Sequence, residues 1–212
     1  MLRVNEVFFS IQGEGRRAGR PCVFVRLSGC PLRCVWCDTA YAFEEGEALP
    51  EEAVLTRIAA YPSRLLLLTG GEPLAQPAAV PFVKRCLDEG WEVLVETSGH
   101  LPVDALDPRA VVILDVKPPG SGESARMHWD NLARLRAGDE AKFVLLGRAD
   151  YEWSRELVRK ERLDERCHVL FSPVHGRLDP GLLAGWILAD GLPVRLQVQL
   201  HKYLWPGVSR GV

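Results

Sequence analysis

Apolar residues in this chain fall into short consecutive runs that alternate with amphipathic segments. Runs such as Leu65-Leu66-Leu67-Leu68 are typical of strands buried on both faces of a parallel sheet. The runs predict seven strands, at Cys22–Leu27, Leu65–Thr69, Trp91–Thr97, Val111–Val116, Lys142–Leu146, His168–Ser172 and Val194–Leu200. The intervening patterns predict five helices, at about Glu51–Ala60, Pro77–Glu89, Ala125–Ala137, Tyr151–Lys160 and Pro180–Ala189. This order indicates an α/β fold with right-handed crossovers.

The number of predicted units sets the expected architecture. Six βα units are too few to close the usual eight-stranded barrel, so we expect an open partial (β/α)6 barrel. A chain of 212 residues, 47% of them hydrophobic, can bury one substantial core. We therefore expect residues 1–212 to form a single domain, without internal repeats or linkers.

Charge and hydropathy exclude several classes of function. A net charge of −2 without a long Lys/Arg run argues against a nucleic-acid groove. No stretch approaches the roughly eighteen apolar residues that a membrane span needs. The chain opens without a charged-then-apolar signal segment, which indicates a reducing, cytoplasmic location. These observations favour a cytoplasmic protein that acts on a small molecule.

Polar residues gather where the predicted strands end. One strand leads into Thr69-Gly70-Gly71-Glu72-Pro73, the next into Glu96-Thr97-Ser98-Gly99, and a third into Asp115-Val116-Lys117. Each segment alone is typical of an ordinary turn. Because the carboxyl ends of parallel strands meet at one edge of a sheet, together they predict a ligand site there.

Three cysteines follow the first predicted strand at short, regular spacing. Cys30, Cys34 and Cys37 have three and then two residues between them. Cysteine thiolates are the ligands of iron–sulfur clusters, and this loop can place three of them around one [4Fe–4S] cluster. The fourth iron would then lack a protein ligand. The amino and carboxylate groups of S-adenosylmethionine could chelate it.

A tetrahedral zinc site is an alternative, because a fourth ligand could come from a distant histidine or another cysteine. The other cysteines are Cys22, Cys86 and Cys167, which lie in apolar segments and are otherwise expected to be buried thiols. Histidines 100, 128, 168 and 175 are better explained as surface or packing residues. The triplet alone leaves the cluster and the zinc site both open.

Several longer motifs accompany the cysteines. They are Glu6-Val7-Phe8-Phe9-Ser10-Ile11-Gln12-Gly13-Glu14-Gly15, Phe24-Val25-Arg26-Leu27, Trp36-Cys37-Asp38-Thr39, the Gly-Gly-Glu-Pro turn and the tail Gln199-Leu200-His201-Lys202. With these motifs the chain resembles the radical S-adenosylmethionine superfamily and, within it, the 7-carboxy-7-deazaguanine synthase family. The resemblance runs over nearly the whole chain.

This resemblance implies a radical-mediated ring contraction. The substrate would be 6-carboxy-5,6,7,8-tetrahydropterin, and the product 7-carboxy-7-deazaguanine, formed with loss of ammonia on the route to queuosine and other 7-deazapurines. The implied cofactors are a [4Fe–4S] cluster, S-adenosylmethionine and Mg²⁺. The resemblance also implies a homodimer and an electron donor such as flavodoxin or ferredoxin.

The resemblance assigns roles to residues along the chain. Cluster ligands would be Cys30, Cys34 and Cys37, with Thr39 as a ligand of Mg²⁺. Substrate-binding residues would be Ile11, Gln12, Gly13, Glu14, Arg26, Thr69, His201 and Val212. Residues that bind S-adenosylmethionine would be Trp36, Cys37, Asp38, Gly71, Glu72, Glu96, Ser98, Asp115 and Lys117. The N-terminal segment and the C-terminal tail would close the substrate pocket.

The chemistry of several of these side chains agrees with such roles. The Arg26 guanidinium suits a bidentate contact with the substrate carboxylate, although a salt bridge at a sheet edge is the alternative. Gln12 and Glu14 suit the donor–acceptor edge of a pterin, although solvated polar side chains in a glycine-rich turn would look the same. By spacing alone Thr39 is better explained as a helix cap. We expect a flexible loop at residues 118–124, Pro-Pro-Gly-Ser-Gly-Glu-Ser.

Two rival functions share parts of this pattern. A radical S-adenosylmethionine activase, which makes a glycyl radical on a partner protein, has the same cysteine triplet but gives no reason for Gln12, Glu14 and Arg26. A non-catalytic zinc-binding module explains the cysteines only.

Overall fold

The computed structural model describes all 212 residues and has one mixed nine-stranded sheet at its centre. The strands are β1 (Leu2–Ile11), β2 (Pro21–Leu27), β3 (Glu47–Leu49), β4 (Leu65–Gly70), β5 (Glu92–Thr97), β6 (Val111–Val116), β7 (Glu140–Leu145), β8 (His168–Pro173) and β9 (Arg195–Leu196). Their spatial order is β3-β1-β2-β4-β5-β6-β7-β8-β9. From β2 onward the neighbours are parallel, whereas β1 runs antiparallel to β2 and β3. The sheet does not close, because β3 and β9 are free edges.

Six α-helices connect and flank the strands. They are α1 (Glu51–Ala59), α2 (Ala79–Asp88), α3 (Asn131–Arg134), α4 (Arg148–Glu161), α5 (Pro180–Ala189) and α6 (Leu200–Leu204). Side chains such as Phe82 of α2 and Tyr151 of α4 are fully buried against the sheet. None of these helices combines the length and the apolar composition needed to cross a bilayer. The predicted α/β fold and open partial barrel are confirmed.

The two faces of the sheet carry different cores, because side chains alternate along each strand. The convex face and the helices enclose a cluster of 40 buried apolar residues. The concave face has a smaller cluster of seven: Phe8, Cys22, Phe24, Leu65, Leu67, Leu94 and Ile113. Phe8 and Phe24 stack there with ring centroids 4.7 Å apart. This small cluster forms an apolar floor inside the open barrel.

The N-terminal strand β1 was missing from the sequence-based prediction. Its residues Leu2–Ile11 mix charged and apolar positions, and the pairing register with β2 shifts between Val4 and Glu6. A β-bulge of this kind interrupts the period-two pattern by which strands are recognised. The short edge strand β3 was also missed.

The strand predicted at Val194–Leu200 was wrong beyond its first residues. Only Arg195 and Leu196 pair with β8, and Leu200 begins helix α6. The chain leaves the sheet because the side chains of Gln197 and Gln199 turn inward and bind Glu14. Tertiary hydrogen bonds therefore override the strand propensity of this segment.

The helix predicted at Ala125–Ala137 was also wrong for most of its length. Residues Ser124–Arg126 form a 3₁₀ turn, Met127 is extended and buried, and α-helix is limited to Asn131–Arg134. The fully buried Asn131 explains the break. Its amide binds the backbone of Gly99, Leu101 and Val103 in the helix-free connection between β5 and β6.

The loop expected to be flexible at residues 118–124 is packed. Ser121 is fully buried and its hydroxyl donates to the Pro118 carbonyl at 2.6 Å. The Glu123 carboxylate accepts a hydrogen bond from the Arg33 backbone N–H at 2.6 Å, and the Ser121 carbonyl accepts one from Val35 at 3.1 Å. This loop therefore supports the cysteine segment.

Replacing Asn131 by Ala should destabilise the fold, because three buried backbone groups would lose their partner. We expect the free energy of unfolding to fall by roughly 2–3 kcal/mol, measured by urea denaturation. Asn5→Ala is the matched control, since Asn5 donates a single exposed hydrogen bond to Glu45. An equal effect of the two substitutions would contradict the assigned role of Asn131.

Candidate active site

A cavity of about 330 Å³ lies above the apolar floor, at the carboxyl ends of the parallel strands. All the predicted site residues except Glu72 line it, together with several that were not predicted. The roles assigned to these residues remain predictions. Their assembly around one cavity follows from the parallel register, which pairs Arg26 with Thr69 and Asp115 with Lys142 across neighbouring strands.

The cysteine loop follows β2 and forms one wall of the cavity. The thiols of Cys30, Cys34 and Cys37 are all free and half-buried. Backbone hydrogen bonds from Gly29 to the Ala42 carbonyl at 2.8 Å and from Cys37 to the Cys34 carbonyl at 3.1 Å fix the loop. The loop is thus shaped by the protein itself, with its three thiols beside the cavity.

The electrostatic environment of two of these thiols is mixed. Burial raises the pKa of both Cys30 and Cys34, and the nearby Lys117 ammonium opposes that rise. Lys117 is held by Asp115, whose carboxylate lies 2.7 Å from its ammonium. Iron binds the thiolate, so loading a cluster displaces the thiol protons.

The donor set fits a [4Fe–4S] cluster better than a single ion. No group of three or more His, Cys, Asp or Glu side chains is placed to share one metal ion. A cubic cluster does not require that, because each thiolate binds a different iron. The side chains therefore do not supply the four convergent ligands of the zinc alternative.

The glycine turn after β4 packs directly on the cysteine loop. A Cβ added to Gly71 would lie 2.1 Å from the Gly29 carbonyl oxygen, a distance that no side chain allows. The backbone N–H of Glu72 donates to the same oxygen at 2.7 Å. Gly70 has a φ of 148°, which also favours glycine. The two loops therefore form one backbone-to-backbone joint.

Glu72 does not face the cavity. It is fully buried and accepts hydrogen bonds from Leu74 N–H at 2.9 Å, Thr97 Oγ1 at 2.8 Å and Ser98 N–H at 2.7 Å. Its carboxylate ties the turn after β4 to the end of β5. The contact with S-adenosylmethionine predicted for Glu72 has no counterpart among the lining residues.

Arg26 lies in the cavity wall on β2 and is already paired. Its Nε donates to Glu6 Oε1 at 2.7 Å, and the Tyr41 hydroxyl donates to the same oxygen at 3.0 Å. The guanidinium carbon is 5.9 Å from the ring centroids of both Phe8 and Tyr41. Glu6 thus occupies only the Nε side. The salt-bridge alternative and the carboxylate-binding role are therefore compatible.

Glu14 is held by three donors at the centre of the cavity. Its Oε2 accepts from Lys142 Nζ at 2.9 Å and Gln197 Nε2 at 3.0 Å, and its Oε1 accepts from Gln199 Nε2 at 2.9 Å. Nearby, Gln12 is buried. Its Oε1 accepts from the Glu14 backbone N–H at 3.2 Å, while its Nε2 has no protein partner. This buried donor is therefore open to an acceptor from outside the protein, a ligand atom or a water.

The same lysine binds a second carboxylate. Lys142 donates to Glu96 on β5, whose Oε2 also accepts from Thr69 Oγ1 at 3.0 Å. Burial alone would raise the pKa of Glu96, but the Lys142 ammonium outweighs it and holds that pKa at about 2. Burial likewise opposes the charge of Lys142, yet Glu14 and Glu96 keep its pKa well above the ordinary value.

Thr39 follows the last cysteine at the N-cap position of a 3₁₀ helix, Ala40–Phe43. Its side chain makes no capping hydrogen bond, and its Oγ1 lies 3.8 Å from Cys37 Sγ. The cap alternative is therefore wrong, and the hydroxyl faces the cavity.

The C-terminal segment lies over the mouth of the cavity. The Leu200 N–H donates to the Gly13 carbonyl at 3.1 Å, and a Cβ on Gly13 would lie 2.8 Å from His201 Nδ1. Lys202 Nζ is 3.3 Å from the Asp38 carboxylate. Farther along, the Gly211 N–H donates to Glu6 Oε2 at 3.2 Å, and Val212 lines the cavity.

Sequence reasoning missed several residues of the site. They are Tyr41, Lys142, His175, Gln199, Val208 and Ser209 among the lining residues, and Glu6 behind Arg26. One signal was available: Lys142 is a charged residue at the head of an otherwise apolar strand. Glu6 lies on the bulged strand β1, and the others lie in loops or a short helix, where no periodicity indicates which side chains turn inward.

Comparison with known proteins agrees with this geometry. The model of the Radical SAM superfamily matches residues 24–116. The chain is 42% identical to a 7-carboxy-7-deazaguanine synthase of Chlorobaculum tepidum, over 100% of this chain and 97% of the relative. It is 41% identical to that of Koribacter versatilis, over the full length of both.

A solved structure shows the same architecture. The crystal structure of QueE from Escherichia coli superposes with a TM-score of 0.77 and 26% sequence identity, covering 93% of each chain. Full-length similarity to relatives of one activity, and a matching fold with three thiols at its cavity, lead to one conclusion. The chain belongs to the 7-carboxy-7-deazaguanine synthase family of the radical SAM superfamily.

Proposed function

We propose that this protein converts 6-carboxy-5,6,7,8-tetrahydropterin into 7-carboxy-7-deazaguanine, with loss of ammonia. The observation that carries the proposal is a single cavity with three thiols at one wall and Gln12, Glu14 and Arg26 at another. A radical made beside the thiols would then be within reach of a bound pterin. The names of the curated relatives support the same reaction.

Cys30, Cys34 and Cys37 would hold the [4Fe–4S] cluster, and the lining residues nearest to them would hold S-adenosylmethionine. When bound, the reduced cluster and S-adenosylmethionine supply a 5′-deoxyadenosyl radical that takes hydrogen from C6 of the substrate. Residues proposed to bind S-adenosylmethionine are Trp36, Cys37, Asp38, Gly71, Glu96, Ser98, Asp115 and Lys117. The glycine turn would bring backbone close to the cofactor, and the Lys117–Asp115 ion pair would lie beside it.

The polar end of the cavity would orient the pterin. Gln12 Nε2 is an unused donor, and Glu14 Oε1 has one acceptor position left beside Gln199. Together they suit the alternating donors and acceptors of a pterin edge. The terminal nitrogens of Arg26 would bind the substrate carboxylate, since Glu6 occupies only Nε.

The C-terminal segment that covers the cavity would keep water away from the reacting atoms. Helix α6 and the tail lie over the mouth, and His201, Lys202 and Val212 line it. This cover also favours the synthase over an activase. An activase must admit a segment of another protein, whereas a pterin is small enough to be enclosed.

Magnesium is a further part of the proposal. Mg²⁺ binds oxygen ligands octahedrally and often keeps one or two protein ligands with substrate and water. Thr39 Oγ1 is free of capping bonds and faces the cavity, so it is a suitable single protein ligand.

We also infer the protein's partners and location. A one-electron donor such as flavodoxin or ferredoxin would reduce the cluster. A homodimer is supported by helix α5, on which Leu182 and Leu188 are 51% and 80% exposed. The six free cysteines suit a reducing cytoplasm.

Replacing any of Cys30, Cys34 or Cys37 by Ala should abolish the broad visible absorbance of the anaerobically reconstituted protein and all cleavage of S-adenosylmethionine. Cys22→Ala, Cys86→Ala and Cys167→Ala are the matched controls, because these thiols are buried and do not line the cavity. The controls should keep both properties. Turnover by Cys34→Ala would contradict the cluster assignment.

Arg26→Ala should lower kcat/KM for the pterin by at least about thirtyfold, because a charged group in a water-poor pocket loses its partner. Cluster absorbance and uncoupled cleavage of S-adenosylmethionine should remain. Arg26→Lys should recover only part of the loss, since an ammonium cannot form the bidentate contact. Glu6→Gln is the control, as it keeps the guanidinium and should cost less than Arg26→Ala. A near-normal kcat/KM for Arg26→Ala would mean that the carboxylate binds elsewhere.

Turnover should depend on magnesium if Thr39 is a ligand. Thr39→Ala should reduce turnover much more than it reduces iron content, and Thr39→Ser should retain most activity because it keeps the oxygen. The measurement is product formation with EDTA and with millimolar Mg²⁺. Equal rates under the two conditions would remove the ion from the mechanism.

A further inference from the structure

Lys142 occupies a central position that the cluster, the cofactor and the substrate assignments do not use. It lies on β7, where it pairs with Asp115 of β6 and Leu170 of β8, and its side chain is only 7% exposed. Its ammonium binds the carboxylates of Glu14, in the loop after β1, and Glu96, on β5. One side chain therefore joins three separate elements of the site.

The two carboxylates depend on this ammonium in different ways. Glu14 has two further donors, Gln197 and Gln199, but both are neutral amides. Glu96 has one further donor, the Thr69 hydroxyl. Lys142 is thus the cation in direct contact with both. Buried carboxylates without a cationic partner favour their protonated form.

We propose that Lys142 is a positioning residue for the pterin: it holds the Glu14 carboxylate oriented toward the substrate, and through Glu96 it fixes the Thr69 hydroxyl. This inference rests on the proposed function, since Glu14 and Thr69 are its proposed substrate contacts. Lys142 itself is not required to touch the pterin. Its effect passes through the two carboxylates that it binds.

Other charged groups surround the pair of carboxylates and stay in place when Lys142 is changed. They are Arg26 on β2, Asp115 on β6, Lys117 after β6, Glu140 at the start of β7 and His201 on α6. Only His201 has an ordinary pKa near neutrality. Because every variant keeps His201, a pH effect confined to Lys142 variants would come from the carboxylates.

The sign of the pH effect follows from the charge that is removed. In the wild-type protein Lys142 holds the pKa of Glu96 at about 2, so the Glu96 carboxylate stays ionised at neutral pH. Without the ammonium, Glu96 loses the cation that opposes its desolvation and lies near a second carboxylate, so its pKa rises. As the pH falls through that raised pKa, Glu96 becomes protonated and no longer fixes the Thr69 hydroxyl as a carboxylate acceptor, and the substrate KM increases.

The experiment compares Lys142→Met, Lys142→Arg and the surface control Lys84→Met in the reconstituted holoenzyme. Lys84 is exposed and pairs only with Asp88. We expect Lys142→Met to raise the pterin KM by at least about thirtyfold at neutral pH, and further as the pH falls. Cluster absorbance should stay unchanged, because the contacts of Lys142 are with Glu14 and Glu96 and not with the cysteine loop. Lys142→Arg should keep a flat pH profile, and Lys84→Met should match the wild-type protein.

A second variant tests positioning apart from charge balance. The double variant Lys142→Met/Glu96→Gln removes one charge of each sign. It leaves no Glu96 carboxylate without its cation, so it should fold even where Lys142→Met alone does not. Its pH dependence should weaken, but its KM should stay raised because Glu14 still lacks its cationic donor. A wild-type KM in this double variant would overturn the proposal, and so would an unchanged, pH-independent KM in Lys142→Met.

A readout without turnover separates this inference from the proposed function. Isotope-edited infrared spectra of glutamate-labelled holoenzyme should show, near neutral pH, an additional protonated carboxyl band in Lys142→Met that the wild-type spectrum lacks. If the band behaves so but the wild-type enzyme does not convert the carboxytetrahydropterin, the proposed function fails while the charge role of Lys142 stands. Absence of the band in Lys142→Met would overturn the inference itself.

Discussion

A charge removed from water needs a partner, and this constraint organises the interior of the open barrel. Three cations lie above the apolar floor: Arg26 binds Glu6, Lys117 binds Asp115, and Lys142 binds Glu14 and Glu96. The Arg26 pair joins neighbouring strands, the Lys117 pair joins residues two positions apart, and Lys142 joins β7 to β5, two strands away, and to the loop after β1. The site is therefore oriented by electrostatic contacts that exist before any ligand binds.

The same strands carry both the apolar floor and the polar wall of the cavity. Along the concave face, Phe24 is followed by Arg26, Leu67 by Thr69, and Ile113 by Asp115. In β2 and β4 the change occurs at one level, because Arg26 pairs with Thr69, whereas in β6 it comes two residues later, because Ile113 pairs with Glu96. The lower layer holds the fold together, and the upper layer carries the groups that a ligand can use.

The division of the strands into an apolar lower layer and a polar upper layer explains which features the sequence could predict. Six of the seven predicted strands are in place, because continuous apolar runs are a strong local signal. Strand ends then identified the cavity residues, since parallel strands end at one edge. Glu6, Lys142 and Gln199 were not found. The inward orientation of Glu6 depends on a bulge and that of Gln199 on a chain that leaves the sheet, and neither leaves a local pattern. Lys142 is visible as a charge in an apolar run, but its role depends on partners from other elements. Glu72 is the opposite case. Its motif was easy to recognise as a site residue, but its carboxylate instead connects the turn after β4 to the end of β5.

The joint between Gly71 and Gly29 bears on how this site could be transplanted. The turn after β4 and the cysteine loop touch through their backbones, with no room for a Cβ between them. A protein engineer who grafted only the three-cysteine segment onto another α/β scaffold would lose the surface that shapes it. The smallest portable unit comprises both loops, with their glycines, and the strands β2 and β4 that bring them together.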